Sequence, residues 1–245
     1  MVEYCLQLNP GKTQILLIAP TNVLKQVSIR GVQLSNSTCI RFVSTTKDLG
    51  IRIDEHLTFE PQVMALKKDC FRLIRNIIKR RFLFSQTQLK LLVNSIIVCK
   101  LDYCNALYCG ISDSLIQQLQ LIQNAAAKAI VGLHKYDHLG DTLKELHWLP
   151  ISYRIKFKVL LLVYKCLNGL GPDYLMSLFK FASATHTIQL IEPRIFSQYG
   201  ERSFHRIGPK MWNELPLDLK TCSSLESFKV ALKTHLFKQA FDIEN

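Results

Sequence analysis

Residues 58–82, TFEPQVMALKKDCFRLIRNIIKRRF, decide how this chain can fold. Thr58 can cap a helix and Pro61 suits a first turn, so the stretch predicts a helix from Thr58 to about Phe82. Apolar residues recur in it at helical spacing: Val63, Leu66, Cys70, Leu73, Ile74 and Ile77. Because these positions share one side of the helix, that side is expected to pack in a core.

The opposite side of this helix is basic. Its cations follow at i, i+4, i+7 and i+11: Lys68, Arg72, Arg75 and Lys79. At 3.6 residues per turn the four fall within about 60° of one another, facing away from the apolar side. Asp69 is the only acid between Lys67 and Arg81, and Arg80 and Arg81 add charge at the C-terminal end, which the helix dipole favours.

Aligned cations repel one another unless something neutralises them, and a phosphate backbone would do so with release of counterions. The expected nucleic-acid-binding residues are Lys68, Arg72, Arg75, Lys79, Arg80 and Arg81. A solvated face with no ligand is the alternative. A membrane surface is less favoured, because the apolar side is small and contains no Trp.

Composition agrees with a basic surface. The chain has 245 residues, 48% of them hydrophobic, enough for one sizeable domain or two small ones. Its 31 Lys and Arg against 19 Asp and Glu give a net charge of +12, which attracts polyanions over about 8 Å at physiological salt. Nucleic acid, an anionic membrane and an inert basic surface remain open on this evidence alone.

The expected location is intracellular, in nucleus or cytoplasm, neither secreted nor in a membrane. Residues 1–7, MVEYCLQ, lack the basic start and apolar run of a secretory signal. The longest strongly apolar stretch, Val159 to Tyr164, is far short of the ~20 residues that span a bilayer.

The sequence before Thr58 predicts a small β meander. Its expected strands are Gln14–Ala19, Val27–Leu34, Thr38–Val43 and Leu49–Ile53, with turns at 35–37 and 45–48. After Phe82, helices are expected at Ser85–Tyr108, Ser112–Val131, Asp141–His147, Ile151–Leu167 and Ser224–Phe241. The last sixty residues otherwise look irregular, with frequent Pro and Gly.

The predicted fold class is therefore α+β: a small β meander, a mainly helical body and an irregular C-terminal segment. We expect three parts, residues 1–57, 58–180 and 181–245, the last ending in an amphipathic helix. No internal repeat is evident.

Neither a metal site nor a cofactor is predicted. Cys99, Cys104 and Cys109 are five residues apart and rotate away from one another on a helix, and no His lies in a ligand spacing with a Cys pair. The eight cysteines are expected to be small buried apolar groups.

Two tryptophans, Trp148 and Trp212, are each expected to be buried at a turn of the chain and to fix that turn by packing. Three aromatic residues near the basic helix, Phe71, Phe82 and Phe84, could be core or could stack on unpaired bases.

Several segments resemble, in order, the C-terminal half of LINE-type, non-LTR retrotransposon reverse transcriptases. They are residues 8–13 (LNPGKT), 47–51 (KDLGI), 57–59 (LTF), 101–105 (LDYCN), 119–127 (LQLIQNAAA), 146–150 (LHWLP), 154–157 (RIKF), 171–175 (GPDYL), 200–204 (GERSF), 209–216 (PKMWNELP), 228–229 (FK) and 232–237 (LKTHLF). No single segment is specific to this family, but the segments occur in the family's order over almost the whole chain.

The resemblance implies the end of a polymerase palm followed by a thumb. It implies that Asn9, Lys12 and Thr13 belong to the palm-end motif and that Leu49 and Gly50 lie in a hairpin that grips the primer. In the family the motif's Lys lies near the departing pyrophosphate. Without a metal site we favour Lys12 as an ordinary turn residue before a strand.

The resemblance also implies what is missing. Family members carry an aromatic-Ala-Asp-Asp turn before the palm-end motif, and its aspartates hold two metal ions for nucleotidyl transfer. The chain is expected to begin after that turn, and it contains no Asp-Asp pair. We therefore expect no catalytic residues and no enzyme activity, but binding of template–primer-like RNA or DNA through phosphates. A protein-interaction module and a decayed fragment without function are the alternatives, and a protein partner is possible.

Overall fold

The computed structural model describes Asn9 and residues 11–28, 31–35, 38–134, 136–182, 188–195 and 197–243. The chain divides into two compact units, Met1–Ala65 and Leu66–Asn245. Strands dominate the first unit and helices the second, so the fold is α+β as the sequence predicts. The expected boundary after residue 180 lies inside the second unit.

The first unit contains a three-stranded sheet in the order β1-β3-β2, formed by β1 (Ile15–Leu16), β2 (Gly31–Ser35) and β3 (Thr38–Val43). β2 and β3 are antiparallel, as a meander requires, whereas β1 lies parallel to β3. The strand expected at Gln14–Ala19 is shortened to two residues, and a helical turn, α1 (Thr21–Leu24), follows it. Gly31 lies so close to β3 that a Cβ there would clash with the Ile40 carbonyl oxygen.

A separate hairpin follows, formed by β4 (Thr45–Asp48) and β5 (Ile51–Asp54). Asp48 pairs with Ile51, which leaves Leu49 and Gly50 as a two-residue turn with φ of 44° and 90°. Positive φ at both central residues is the type I′ geometry that matches strand twist. The prediction of a turn at 45–48 is therefore wrong, because these residues form the first strand of the hairpin.

Asp54 organises the passage from β5 into the first long helix, α2 (Glu60–Lys79). Its buried carboxylate accepts hydrogen bonds from the backbone N–H groups of His56, Thr58 and Phe59 at 3.1, 2.9 and 2.7 Å. Burial alone would raise the pKa of Asp54, but these donors together lower it. The predicted N-cap residue Thr58 contributes through its hydroxyl, which accepts from Glu60 N at 3.2 Å.

α2 begins in the first unit and ends in the second, where further helical segments follow it. They are a 3₁₀ turn (Arg81–Leu83), α3 (Gln86–Val93), a π-helical turn (Asn94–Val98), α4 (Cys99–Asp102), a 3₁₀ helix (Asn105–Tyr108) and α5 (Asp113–Val131). Ser85 and Gln88 form a capping box at the start of α3. Gly132 ends α5 with φ of 85°, as the sequence predicts.

The remaining helices are α6 (Thr142–Glu145), α7 (Ile151–Leu167), α8 (Asp173–Met176), α9 (Gln198–Glu201), α10 (Phe204–Asn213), α11 (Leu217–Lys220) and α12 (Leu225–Ala240). The bounds of α7 match the prediction, and α12 differs from its prediction by one residue at each end. α10 was not predicted. Among the described residues, no helix has both the length and the apolar character needed to cross a membrane.

The core of the second unit's C-terminal half lies between α7, α10 and α12. Tyr164 stacks on Phe228 with ring centroids 4.1 Å apart, and Trp212 lies 6.1 Å from the same ring. The Tyr164 hydroxyl donates to Cys222 O and the Trp212 indole donates to Ile188 O. The expected packing of Trp212 is confirmed, since it is fully buried and both polar atoms of this cluster are satisfied.

Arg154 connects three segments that are far apart in sequence. Its Nη1 donates to both carboxylate oxygens of Asp102 at 2.9 and 2.7 Å, and its Nε donates to Leu149 O at 3.0 Å. The residues 101–105, 146–150 and 154–157, noted above for their resemblance, thus meet at one guanidinium. A charged donor bound to two partners fixes the approach of α4 to α7.

We expect Asp54→Asn to destabilise the first unit by about 1–3 kcal/mol, because the new amide would face the Phe59 N–H with a donor. The wild-type pKa is lowered, so the carboxylate's stabilising effect is present above the ordinary pKa of 3.8 and is lost as the pH falls through the folded-state value. When denaturation is measured between pH 2 and 7, the free energy of unfolding should fall less steeply with decreasing pH in Asp54→Asn than in the wild type. The exposed Asp48→Asn is the control, and equal acid profiles in all three proteins would contradict the assignment.

Candidate nucleic-acid interface

α2 has the two faces that its sequence predicts. Val63, Leu66, Cys70, Ile74 and Ile77 are buried. The four cations on the opposite side are exposed: Lys68, Arg72, Arg75 and Lys79. At a rise of 1.5 Å per residue, the row from the first of these cations to the last is about 16 Å long. The buried side fixes the rotation of the helix, and that rotation holds the cations in solvent.

Little within the described part of the protein neutralises this row. Arg72 forms an exposed ion pair with Asp69 at 3.5 Å. Lys68, Arg75 and Lys79 form no ion pair with any described residue. An exposed pair such as Arg72–Asp69 is weak and screened by salt. The row therefore keeps a local excess of positive charge.

Two of the arginines are partly tethered to the helix itself. Arg75 Nε donates to Phe71 O at 3.2 Å, and Arg80 Nη1 donates to Asn76 O at 3.4 Å. A guanidinium carries five N–H groups, so each of these contacts uses one and leaves others for a ligand. The tethers limit side-chain motion, which lowers the entropy that would be lost on binding.

Arg81 has a different environment from the cations before it. It is half-buried, its Nε donates to Ala129 O at 3.1 Å, and its Nη2 donates to Ile130 O at 3.3 Å. These carbonyls lie in the last turn of α5, where a cation also interacts well with the helix dipole. A Cβ on Gly132 would lie 2.5 Å from Arg81 Nη2, so the glycine also leaves room for the guanidinium. Arg81 therefore joins α2 to α5, a role that its basic neighbours in the sequence do not indicate.

The turn after α2 exposes apolar side chains beside the basic row. Phe82 is 84% exposed and Leu83 is 62% exposed, and Ile78 on α2 is 50% exposed. The interpretation of Phe82 as a core residue is therefore wrong. Phe84 is 39% exposed and Phe71 is intermediate, so neither is fully buried.

The residues of the palm-end motif form a turn. Asn9 Oδ1 accepts from Gly11 N at 3.0 Å, and Asn9 O accepts from the backbone N–H groups of Lys12 and Thr13. Thr13 Oγ1 also donates to Asn9 O at 2.9 Å. Lys12 is an exposed residue of this turn before β1, as expected, while Leu8 and Pro10 of the motif lie outside the described residues.

The hairpin residues Leu49 and Gly50 lie in the first unit, as do Asn9, Lys12 and Thr13, whereas the basic row belongs to the second. Leu49 is 83% exposed at the tip of its turn. The hairpin expected at this point is confirmed, and its role in holding a primer stays a prediction.

Two of the cysteine thiols are held in the protonated form by burial. Burial raises the pKa of the Cys70 and Cys109 thiols to about 11, so both are protonated at neutral pH. Cys70 and Cys166 are buried as expected, but Cys39, Cys99 and Cys104 are exposed, which corrects the prediction that all were buried. No group of three or more His, Cys, Asp or Glu in the described part of the chain could hold a metal ion.

Arg81→Ala should lower the free energy of unfolding of the second unit by about 1.5–3 kcal/mol, because two charge-assisted hydrogen bonds to the end of α5 are lost. The control is Arg80→Ala, one residue away and exposed, for which we expect a change within about 0.5 kcal/mol. Urea denaturation of both variants measures the difference. Equal stability of the two would show that Arg81 does not hold the end of α5.

Searches against protein-family models, curated proteins and solved structures found no match to this chain.

Proposed function

We propose that this chain binds RNA or DNA through its phosphates, along the exposed cationic face of α2. The single observation that carries the proposal is the row formed by Lys68, Arg72, Arg75 and Lys79, which is exposed and largely without anionic partners among the described residues. A polyanion placed along this face would relieve the repulsion between the cations.

The physical gain from such binding is the release of counterions from the phosphates. A net charge of +12 brings a polyanion toward the protein, and the rigid row then offers several phosphate contacts at once. The binding would be insensitive to base sequence, since contacts to phosphate carry no sequence information.

We propose further that the chain derives from the palm end and thumb of a LINE-type reverse transcriptase. The support is the ordered series of resembling segments, with the KDLGI segment at a β-hairpin and a basic helix directly after it. The Asp102–Arg154–Leu149 contact supports a structural role for three more of these segments. On this proposal the chain positions nucleic acid and does not catalyse its synthesis, because no adjacent pair of aspartates is present for two metal ions.

The alternative is a protein-interaction module, favoured by the exposed Ile78, Phe82 and Leu83. Exposed apolar groups beside charges also occur in protein interfaces. Filter binding of a labelled oligonucleotide at two salt concentrations separates the two functions, because phosphate binding weakens steeply as salt rises.

Arg72→Glu/Arg75→Glu should weaken oligonucleotide binding and reduce the slope of log K against log salt by roughly one unit per lost phosphate contact. The measurement is fluorescence anisotropy over a salt series. The control is Lys144→Glu/Lys210→Glu, which makes the same change in net charge at exposed residues of α6 and α10.

The control should leave the slope nearly unchanged, because those lysines lie outside the row. If both double variants lose affinity equally, the binding follows net charge alone and the assignment to α2 fails. Unchanged binding in Arg72→Glu/Arg75→Glu would also contradict it.

A further inference from the structure

The most exposed described phenylalanine stands next to the basic row. Phe82 follows Lys79 by three residues and is 84% exposed, although an aromatic side chain of this size is usually largely buried. Within the chain, its ring therefore gains little of the stabilisation that burial gives.

The exposure of Phe82 is set by an ordered turn. Leu83 N donates to Arg80 O at 3.0 Å and Phe84 N donates to Arg81 O at 3.1 Å, which closes the 3₁₀ turn around Phe82. Arg81, the residue before it, is fixed to the end of α5 through Ala129 O and Ile130 O. Because the backbone on both sides is held, only rotation about the bonds of the Phe82 side chain itself can move the ring.

The geometry points to Phe82 as a stacking platform for an unpaired base, so that the ligand of the α2 face is single-stranded nucleic acid. This inference rests on the proposed phosphate binding and specifies its substrate class. A strand whose phosphates lie along Lys68–Lys79 would reach the turn within about one helical turn of the last cation. In a single strand the flat face of a base is available to an aromatic ring there, whereas in a duplex it is covered by its neighbours.

Charge favours this occupant over a protein. The apolar turn is preceded by Lys79 and Arg80, both exposed and neither in an ion pair with a described residue. A ligand that covers Phe82 therefore also lies beside these cations, and negative charge on the ligand would stabilise its binding there. A single strand combines both features in each nucleotide, an anionic phosphate and an aromatic base.

The test compares Phe82→Leu with Phe82→Tyr. Leucine keeps an apolar side chain but removes the ring, while tyrosine keeps the ring. Val230→Ala is the control, since it removes apolar surface from a 68% exposed residue of α12. Fluorescence anisotropy of the 245-residue chain is measured with a labelled, unstructured oligonucleotide and with the same sequence as a blunt duplex.

We expect the wild type to prefer the single strand. Phe82→Leu should weaken single-strand binding by roughly tenfold and leave duplex binding unchanged, whereas Phe82→Tyr and Val230→Ala should bind like the wild type.

The other outcomes overturn the inference. If Phe82→Leu binds the single strand as tightly as the wild type, the ring does not stack. If it weakens single strand and duplex alike, or if Phe82→Tyr is equally weak, the side chain acts through packing and not through stacking. Arg72→Glu/Arg75→Glu is measured in parallel: when that variant loses affinity and Phe82→Leu does not, the stacking inference fails while phosphate binding stands.

Discussion

The burial of one side of α2 is the constraint on which the candidate interface depends. Val63, Cys70 and Ile74 are almost completely inaccessible to solvent, so the helix cannot rotate without exposing them. With 3.6 residues per turn, that fixed side leaves Lys68 and Arg72 no position except in solvent. The arrangement of the cations therefore follows from hydrophobic burial, and the repulsion among them is a cost that burial outweighs.

Local patterns predicted α5, α7 and α12 well, because their ends are coded by the residues beside them. The helix expected at Ser85–Tyr108 is instead interrupted by a π-helical turn at Asn94–Val98 and ends at Asp102, before Cys104 with φ of 52°. Gly132 ends α5 and Ser224 caps α12. α10 was missed because Gly208 and Pro209 indicate a turn when only neighbours are considered. In the fold, a Cβ on Gly208 would lie 3.0 Å from Phe179 and Val163, so this glycine permits close packing. That requirement comes from residues distant in sequence, as does the parallel pairing of β1 with β3.

In the candidate site, too, one part could be predicted from local sequence and another part could not. The spacing of Lys68, Arg72, Arg75 and Lys79 determines their common face, and the structure confirms that face. The role of Arg81 could not be predicted, since its acceptors Ala129 and Ile130 are almost fifty residues away in sequence and approach only through the packing of α5. For Phe82 the sequence left two alternatives open, a core position and stacking on an unpaired base, and the 84% exposure of its side chain excludes the first.

In the proposed interface, the affinity for nucleic acid has two sources: contacts between cations and phosphates, and stacking of a base on the Phe82 ring in the turn that Arg81 fixes. Contacts between cations and phosphates lose strength as salt rises, since the counterions released on binding must enter a more concentrated solution. Stacking on an aromatic ring depends much less on ionic strength. When both kinds of contact operate, the cations determine the slope of log K against log salt, and the ring raises log K by a similar amount at every salt concentration. The turn that Arg81 fixes would then contribute binding that persists at salt concentrations where the α2 row alone is too weak.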